Sequence, residues 1–320
     1  MMINIFNFFN KYLKVFLIFL LSSNFALAYP DKPIEMTITF GAGSTADITG
    51  RVSSEIAAKD LGQPIVVVNR LGGGGAIGFD HVGNQKNDGY NIGWLSASIL
   101  TVTLLKNLPY DYKNWDYVCG VTLEPTAIVV LNNSKYQNLK DLIDAAKKNP
   151  GTIKIGHSGV GSFTYTTVAA LMKKQGAEKV VYVPVGNRNL ASLLAGEVDA
   201  ISVHPPEVLG SLKSKDLKML ALSSPQKNNT FPDVPTLKSM GMDLGFYQFR
   251  GIFVPKGTPK NVVEKLSKSY ELASKDKKFQ DLALNGGFDI NFISHTDFPK
   301  YVEQQNELLR KVLIEIQDIK

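Results

Sequence analysis

An apolar strand that runs into a glycine-rich turn and then into a helix occurs twice in this chain. The first copy is Thr37–Arg51, TITFGAGSTADITGR. The run from Ile34 to Phe40 is apolar and β-branched enough to read as a strand. Gly41-Ala42-Gly43-Ser44-Thr45-Ala46-Asp47 follows, and then Ile48, Val52, Ile56 and Ala57 recur at helical spacing, which predicts one buried helix face. Glycine lets backbone approach a ligand closely, and the first N–H groups of a helix have no internal partner. With the helix dipole behind it, such a turn suits an anion. It equally suits a tight connection with Asp47 or Thr45 as helix N-cap. The second copy is the strand Thr152–Gly156, the turn His157-Ser158-Gly159-Val160-Gly161-Ser162-Phe163-Thr164, and a helix over Tyr165–Lys174.

Between and after these copies, strands alternate with helices. Ile65–Val68 predicts a strand buried on both faces in a parallel sheet. Gly72–Gly75 predicts an exposed loop, leading to a short helix near Phe79–Asn84. Further strands are expected at Asn91–Ser96, Tyr117–Thr122, Ala127–Leu131, Val180–Pro184, Leu217–Ser223 and Phe249–Val254, and a turn and strand over Gly196–Val203. Helices are expected over Asn138–Lys148, Leu190–Ala195, Lys260–Ser274 and Asp297–Ile316. The order predicts an α/β fold with right-handed crossovers. Two strand–turn–helix units in two halves predict two similar domains facing each other across a cleft, a clamshell for a small anion.

Residues 1–28 stand apart. Lys11 and Lys14 precede the apolar run Val15–Leu21, and Ala26-Leu27-Ala28 follows, the order of a secretory signal peptide cleaved near Ala28. Without them the net charge falls from +6 to +4. The remaining charges are scattered, so nucleic acid is not implied. Composition is globular, 44% hydrophobic and 20% charged. Cys119 is the single cysteine, so no internal disulfide or thiolate metal site forms, and burial is expected.

Several chemistries lack their residues. Gly41-Ala42-Gly43-Ser44-Thr45-Ala46 fits a dinucleotide fingerprint, but the second strand ends in Asn69-Arg70 rather than an acid. An exported NADP-dependent oxidoreductase, with Arg70 on a 2′-phosphate, is therefore the alternative reading. No P-loop lysine follows either turn. His81, His157, His204 and His295 have no metal spacing. His157-Ser158-Gly159 with Asp199 lacks the G-x-S-x-G elbow of a serine hydrolase.

Taken as a set and in order, the motifs resemble the periplasmic solute-binding receptors of tripartite tricarboxylate transporters, the Bug or TctC family. Those motifs are Tyr29-Pro30-Asp31-Lys32-Pro33-Ile34, the first turn with Arg51, Leu61-Gly62-Gln63-Pro64 and Asn69-Arg70 with the glycine run to Gly78. They continue with Asp88-Gly89-Tyr90, Leu108-Pro109-Tyr110-Asp111, Ser158–Ser162, Val183-Pro184, Gly196-Glu197-Val198-Asp199, Pro232-Asp233-Val234-Pro235-Thr236 and Gly257-Thr258-Pro259. The resemblance implies a two-domain periplasmic-binding-protein fold of the Venus-flytrap, type II-like kind. Domain 1 would span 29–130 and 249–320, and domain 2 131–248. It implies no catalysis and no cofactor, a monomer in the periplasm, a small organic carboxylate as ligand, and integral-membrane permease subunits as partners. The implied ligand-binding set is Gly43, Ser44, Thr45 and Asp47 in the first turn; Ser158, Gly161, Ser162, Phe163 and Thr164 in the second; and Val185, Gly186, Asn187, Asp199 and His204. Backbone N–H groups and hydroxyls would hold carboxylate oxygens directly or through water, with Asp47 capping its helix and Asp199 fixing a wall or meeting an amino group. The sequence departs from the family pattern at Phe40-Gly41-Ala42-Gly43, at Tyr165 and at Pro184-Val185-Gly186-Asn187. Arg188, which follows, would favour an anion if it faced the cleft.

Overall fold

The computed structural model describes residues 29–242 and 244–316. The expected signal peptide, residues 1–28, lies outside the described residues. Among the described residues, no helix is long and apolar enough to cross a membrane.

Residues 32–316 build two mixed sheets. One contains β1 (Ile34–Ile38), β2 (Ile65–Asn69), β3 (Asn91–Ser96), β4 (Trp115–Glu124), β10 (Gln248–Pro255) and β11 (Asp289–Ile293). Their order across the sheet is β11-β4-β10-β3-β1-β2. The other contains β5 (Ala127–Leu131), β6 (Lys154–His157), β7 (Val181–Pro184), β8 (Ala200–Val203) and β9 (Leu217–Leu222), in the order β7-β6-β8-β5-β9. The two follow one plan. β1 lies parallel between β2 and β3, and β6 lies parallel between β7 and β8. An antiparallel strand then joins each trio, β10 against β3 and β5 against β8. Ligands of open α/β sheets gather at the carboxyl ends of parallel strands. Here those ends carry the first turn, the glycine run and Ala97 in one sheet, and the second turn, Val185 and His204 in the other.

The chain passes between the sheets at Pro125-Thr126 and again between β9 and β10. β5 belongs to the five-stranded sheet, so the first crossing lies upstream of the expected boundary at residue 130. The crossings are tied together by Thr126 N–H, which donates to Ser223 Oγ at 2.9 Å, and the first is also held by His204 after β8, whose Nδ1 lies 2.9 Å from the carbonyl oxygen of Pro125. One apolar cluster runs from Phe79 and Trp115 through Phe249 to Ile155 and Val168, so both sheets share it.

Three expectations are corrected. β2 is an edge strand with Val66 51% exposed; its apolar run reflected β propensity rather than burial on two faces. The glycine run is not a free loop, since Gly74 and Gly75 are buried. The end of the chain holds a further helix, Lys277–Gly286, and the strand β11, both passed over in a polar stretch of sequence.

The first helix, Thr45–Leu61, buries Ile56 and Ala57 as its spacing implies, but at its start small and polar residues turn inward instead of Ile48 and Val52. Its buried residues are Ala46, Thr49, Gly50, Ser53, Ser54, Ile56 and Ala57, among others, while Ile48 and Val52 are only partly covered. Small side chains bring this helix close to β1 and β3. A Cβ at Gly50 would sit 2.8 Å from Ile38 Cδ1 and 3.1 Å from Trp94 Cγ. Thr49 and Ser53 hydroxyls donate to carbonyls one turn back, at 2.7 and 2.8 Å, so these polar groups are satisfied inside the contact. Gly50→Val therefore overpacks this contact, and a loss of about 1–3 kcal/mol is expected. A urea denaturation midpoint equal to that of the unaltered protein would refute this seating of the helix.

Candidate functional site

The carboxyl ends of both parallel trios converge on one narrow cavity of about 20 Å³. Phe40, Ser44 and Ala46 reach it from the first turn, and Ser98 from the end of β3. Ser158, Ser162, Phe163 and Thr164 come from the second turn, His204 and Glu207 from the end of β8, and Gln248 and Arg250 from β10. An outer groove of about 280 Å³ shares Phe40, Ser44, Ser158 and Glu207 with it and adds Gly72–Gly75, Gly186 and Asn187.

Each turn is a capped helix start. Ser44 is the N-cap of Thr45–Leu61, its side chain accepting from Asp47 N–H. The expected caps, Thr45 and Asp47, lie inside the helix, because serine supplies the short acceptor that a cap needs. Asp47 instead orders the turn from below: its carboxylate accepts from Gly43 N–H at 3.1 Å, Arg51 Nε at 2.8 Å and Asn69 Nδ2 at 2.8 Å. Ser162 caps the helix Phe163–Lys174 in the same way. Its hydroxyl lies 3.0 Å from Thr164 Oγ1, which accepts from Ser158 N–H at 3.1 Å.

The two halves touch through backbone. A Cβ at Gly74 would lie 2.4 Å from the carbonyl oxygen of Val160 and 2.9 Å from Ser162 N. Gly74 also has φ 67°, so this position needs glycine for both conformation and space. Phe163 N–H donates to Ser98 Oγ at 3.1 Å, and Thr101 Oγ1 donates to the Gly161 carbonyl. Asn187 lies against Gly41, its Nδ2 2.7 Å from where a Cβ would stand.

Of the expected site residues, Ser44, Ser158, Ser162, Phe163, Thr164 and His204 line the cavity, and Gly186 and Asn187 the groove. Thr45 meets the site through Glu207. Five lie elsewhere. Gly43 and Asp47 brace the first turn from behind. Gly161 faces Val102 and Asn107. Val185 is buried in an apolar cluster with Leu193 and Ile201. Asp199 accepts from Lys154 N–H at 2.9 Å, at the start of β6, about 10 Å of strand from the turn at its other end. Arg188 lines neither the cavity nor the groove and pairs at the surface with Glu197, at 3.6 Å. Arg70, which the dinucleotide reading needs, is held by Glu35 at 2.9 Å and donates to Thr37 Oγ1 at 3.0 Å.

Sequence reasoning missed Glu207, Gln248, Arg250 and Ser98. Arg250 forms a buried ion pair with Glu124, Nε to Oε2 at 2.6 Å. Glu207 places Oε1 3.2 Å from Thr45 Oγ1 and 3.4 Å from Thr45 N, so the chain's own carboxylate faces the first helix N-terminus. Burial is the main cause that pushes the Glu207 carboxyl up to about 7, against the pull of Thr45 and Arg250. Burial pushes His157 down to about 4 and His204 down to about 3, so both rings are neutral at pH 7.

A raised carboxyl pKa means the folded chain holds a proton that the unfolded chain has released. Glu207 thus favours the fold at or below its unfolded pKa and loses that contribution as pH rises from about 4.5 through about 7. Glu207→Gln should gain on the unaltered protein over that window, by an amount on the order of 2 kcal/mol. Parallel stability–pH curves for the two proteins would refute it.

The chain is similar to known proteins in sequence and in fold. Residues 49–318 match the family model described as "Tripartite tricarboxylate transporter family receptor". The protein BugT of Bordetella pertussis is 29% identical over 257 residues, covering 78% of this chain and 78% of BugT. The structure of the periplasmic binding protein BugD is 28% identical, with TM-score 0.86, over 91% of this chain and 100% of BugD. MatC from Rhodopseudomonas palustris, solved with bound malate, shares the fold at 21% identity and TM-score 0.84, over 89% and 100% of the two chains.

Proposed function

This chain belongs to the family of tripartite tricarboxylate transporter receptors, and from that premise we propose that it captures a small organic carboxylate and hands it to integral-membrane permease subunits. The observation that carries the proposal is the facing of two capped helix N-termini, at Ser44–Ala46 and Ser162–Thr164, across one cavity. Two partial positive charges and a set of hydroxyls converge there, and carboxylate oxygens take such donors directly or through water. That MatC was solved with malate and another relative with adipate is in keeping with a carboxylate ligand.

In this reading the protein works outside the cytoplasm after removal of residues 1–28, as a monomeric binding protein without a cofactor. The strands β1–β4, β10 and β11 form one lobe and β5–β9 the other, with the crossings at Pro125-Thr126 and before Gln248 as the hinge. The pincer residues are Ser44, Thr45, Ser158, Ser162 and Thr164, with Gly186 and Asn187 at the mouth. The exported NADP-dependent enzyme loses its main anchor because Arg70 is engaged by Glu35 and Thr37.

Titration calorimetry of residues 29–320 with mono-, di- and tricarboxylates and with NADP tests the proposal. One class of carboxylates should bind. Thr45→Ala with Ser162→Ala should weaken that binding at least tenfold while the unfolding free energy falls only by what a lost cap costs, about 1 kcal/mol. Binding of NADP alone would replace the receptor by the dinucleotide enzyme. Undiminished carboxylate affinity in the double variant would move the ligand away from the two turns.

A further inference from the structure

Two buried polar atoms at the cavity find no partner among the described residues. Arg250 is 2% exposed and its Nε is committed to Glu124, but its Nη1 has no hydrogen-bond partner there. Gln248 is 1% exposed; its Nε2 donates to Ser96 Oγ, while its Oε1 has no partner there either. Both residues line the cavity, two positions apart on the same strand. Their side chains therefore share one face of β10. An unpartnered N–H on a buried guanidinium is costly, and so is an unpartnered buried carbonyl. One is a cationic donor that suits an oxyanion. The other is a neutral acceptor that suits a hydroxyl or ammonium. The Glu207 carboxylate lines the same cavity and adds a second acceptor.

Resting on the receptor reading above, we propose that Arg250 and Gln248 read a carboxylate together with a hydrogen-bond donor on the carbon next to it, so that the ligand is a 2-hydroxy or 2-amino acid rather than a plain carboxylic acid. Arg250 Nη1 donates to a carboxylate oxygen. Gln248 Oε1 and the Glu207 carboxylate accept from the neighbouring hydroxyl or ammonium. The N-terminus of the helix Phe163–Lys174 then holds any remaining oxyanion group of the ligand. Arg250 serves better than lysine here because its fork reaches Glu124 with one nitrogen and the ligand with another.

Matched acids isolate the second contact. Calorimetric affinities are measured for succinate, malate and aspartate, and likewise for propionate, lactate and alanine, and for glutarate, 2-hydroxyglutarate and glutamate. In at least one set the substituted acid should bind tenfold or more tighter than the plain one, and hydroxyl against ammonium distinguishes the two sources of the donor. Gln248→Met should abolish that preference while plain-acid affinity persists. Arg250→Lys keeps a cation beside Glu124 but lacks Nη1, and should lose tenfold or more for every acid that binds. If that variant misfolds, the apolar pair Arg250→Met with Glu124→Met removes both buried charges at once, and the same loss is expected, with melting curves checking the fold. Carboxylate binding with no preference for the substituted acid, or undiminished in both Arg250 variants, overturns this inference and leaves the receptor reading standing. No binding of any acid in the panel overturns both.

Discussion

The cleft depends on one contact, backbone laid on backbone where the glycine run meets the second turn. Gly74 approaches Val160, Gly161 and Ser162 more closely than any side chain would permit. That closeness sets the separation of the two halves at the cavity mouth. It also places Phe163 N–H on Ser98 Oγ and Thr101 Oγ1 on the Gly161 carbonyl. Backbone groups at the rim are thereby paired across the cleft, as buried N–H and C=O groups must be. Hydroxyls on Ser44, Ser162 and Thr164 remain turned to the cavity with their helices already capped. The turns are built before any ligand arrives, so little ordering has to accompany binding, and binding strength is not spent on it.

The fold was largely legible because periodicity and turn chemistry agreed. Asn91–Ser96 and Ala127–Leu131 emerge as strands with the bounds their apolar runs imply. Asn138 caps the helix Leu139–Lys148 through a capping box that its sequence spells out. The reading failed where burial is carried by small or polar residues. The first helix buries Thr49, Gly50 and Ser53 because Ile38 and Trp94 of the sheet supply the apolar volume. Hydrophobic spacing points to Ile56 and Ala57, which are buried, and to Ile48 and Val52, which are only partly covered. Four glycines carry no hydrophobic signal and spell a solvent loop, yet their lack of side chains is what lets two of them be buried.

The candidate site was legible in its turns and not in its floor. A glycine–serine turn before a helix announces itself locally. Arg250 does not: it lies in a strand whose other residues read as core, and its partner Glu124 is far away in sequence. Glu207 follows two prolines that read as a strand stop, and its meeting with Thr45 spans 162 positions. Asp199 shows the opposite error. A Gly-Glu-Val-Asp turn draws attention as a motif, but its carboxylate tethers Lys154 at the end of β6 remote from the cavity.

Charge placement inside the cavity decides what kind of anion suits it. Arg250 and Glu124 cancel at 2.6 Å. His204 is held neutral by burial and by Arg250 beside it. Among the described residues lining the cavity, the remaining charged group is Glu207, aimed at the N-terminus of Thr45–Leu61, the place an anionic ligand would take. A carboxylate there repels a second one unless it is protonated or meets a donor on the ligand. At ~4 Å and an effective dielectric of about 20, that repulsion is about 4 kcal/mol. A proton on Glu207 or an ammonium beside it removes the penalty, and a hydroxyl offsets part of it. The same carboxylate that occupies the helix N-terminus in this structure therefore biases the site against acids that bring negative charge and nothing to give. This bias acts alongside the two unpartnered atoms on β10, and both favour a ligand that donates as well as accepts.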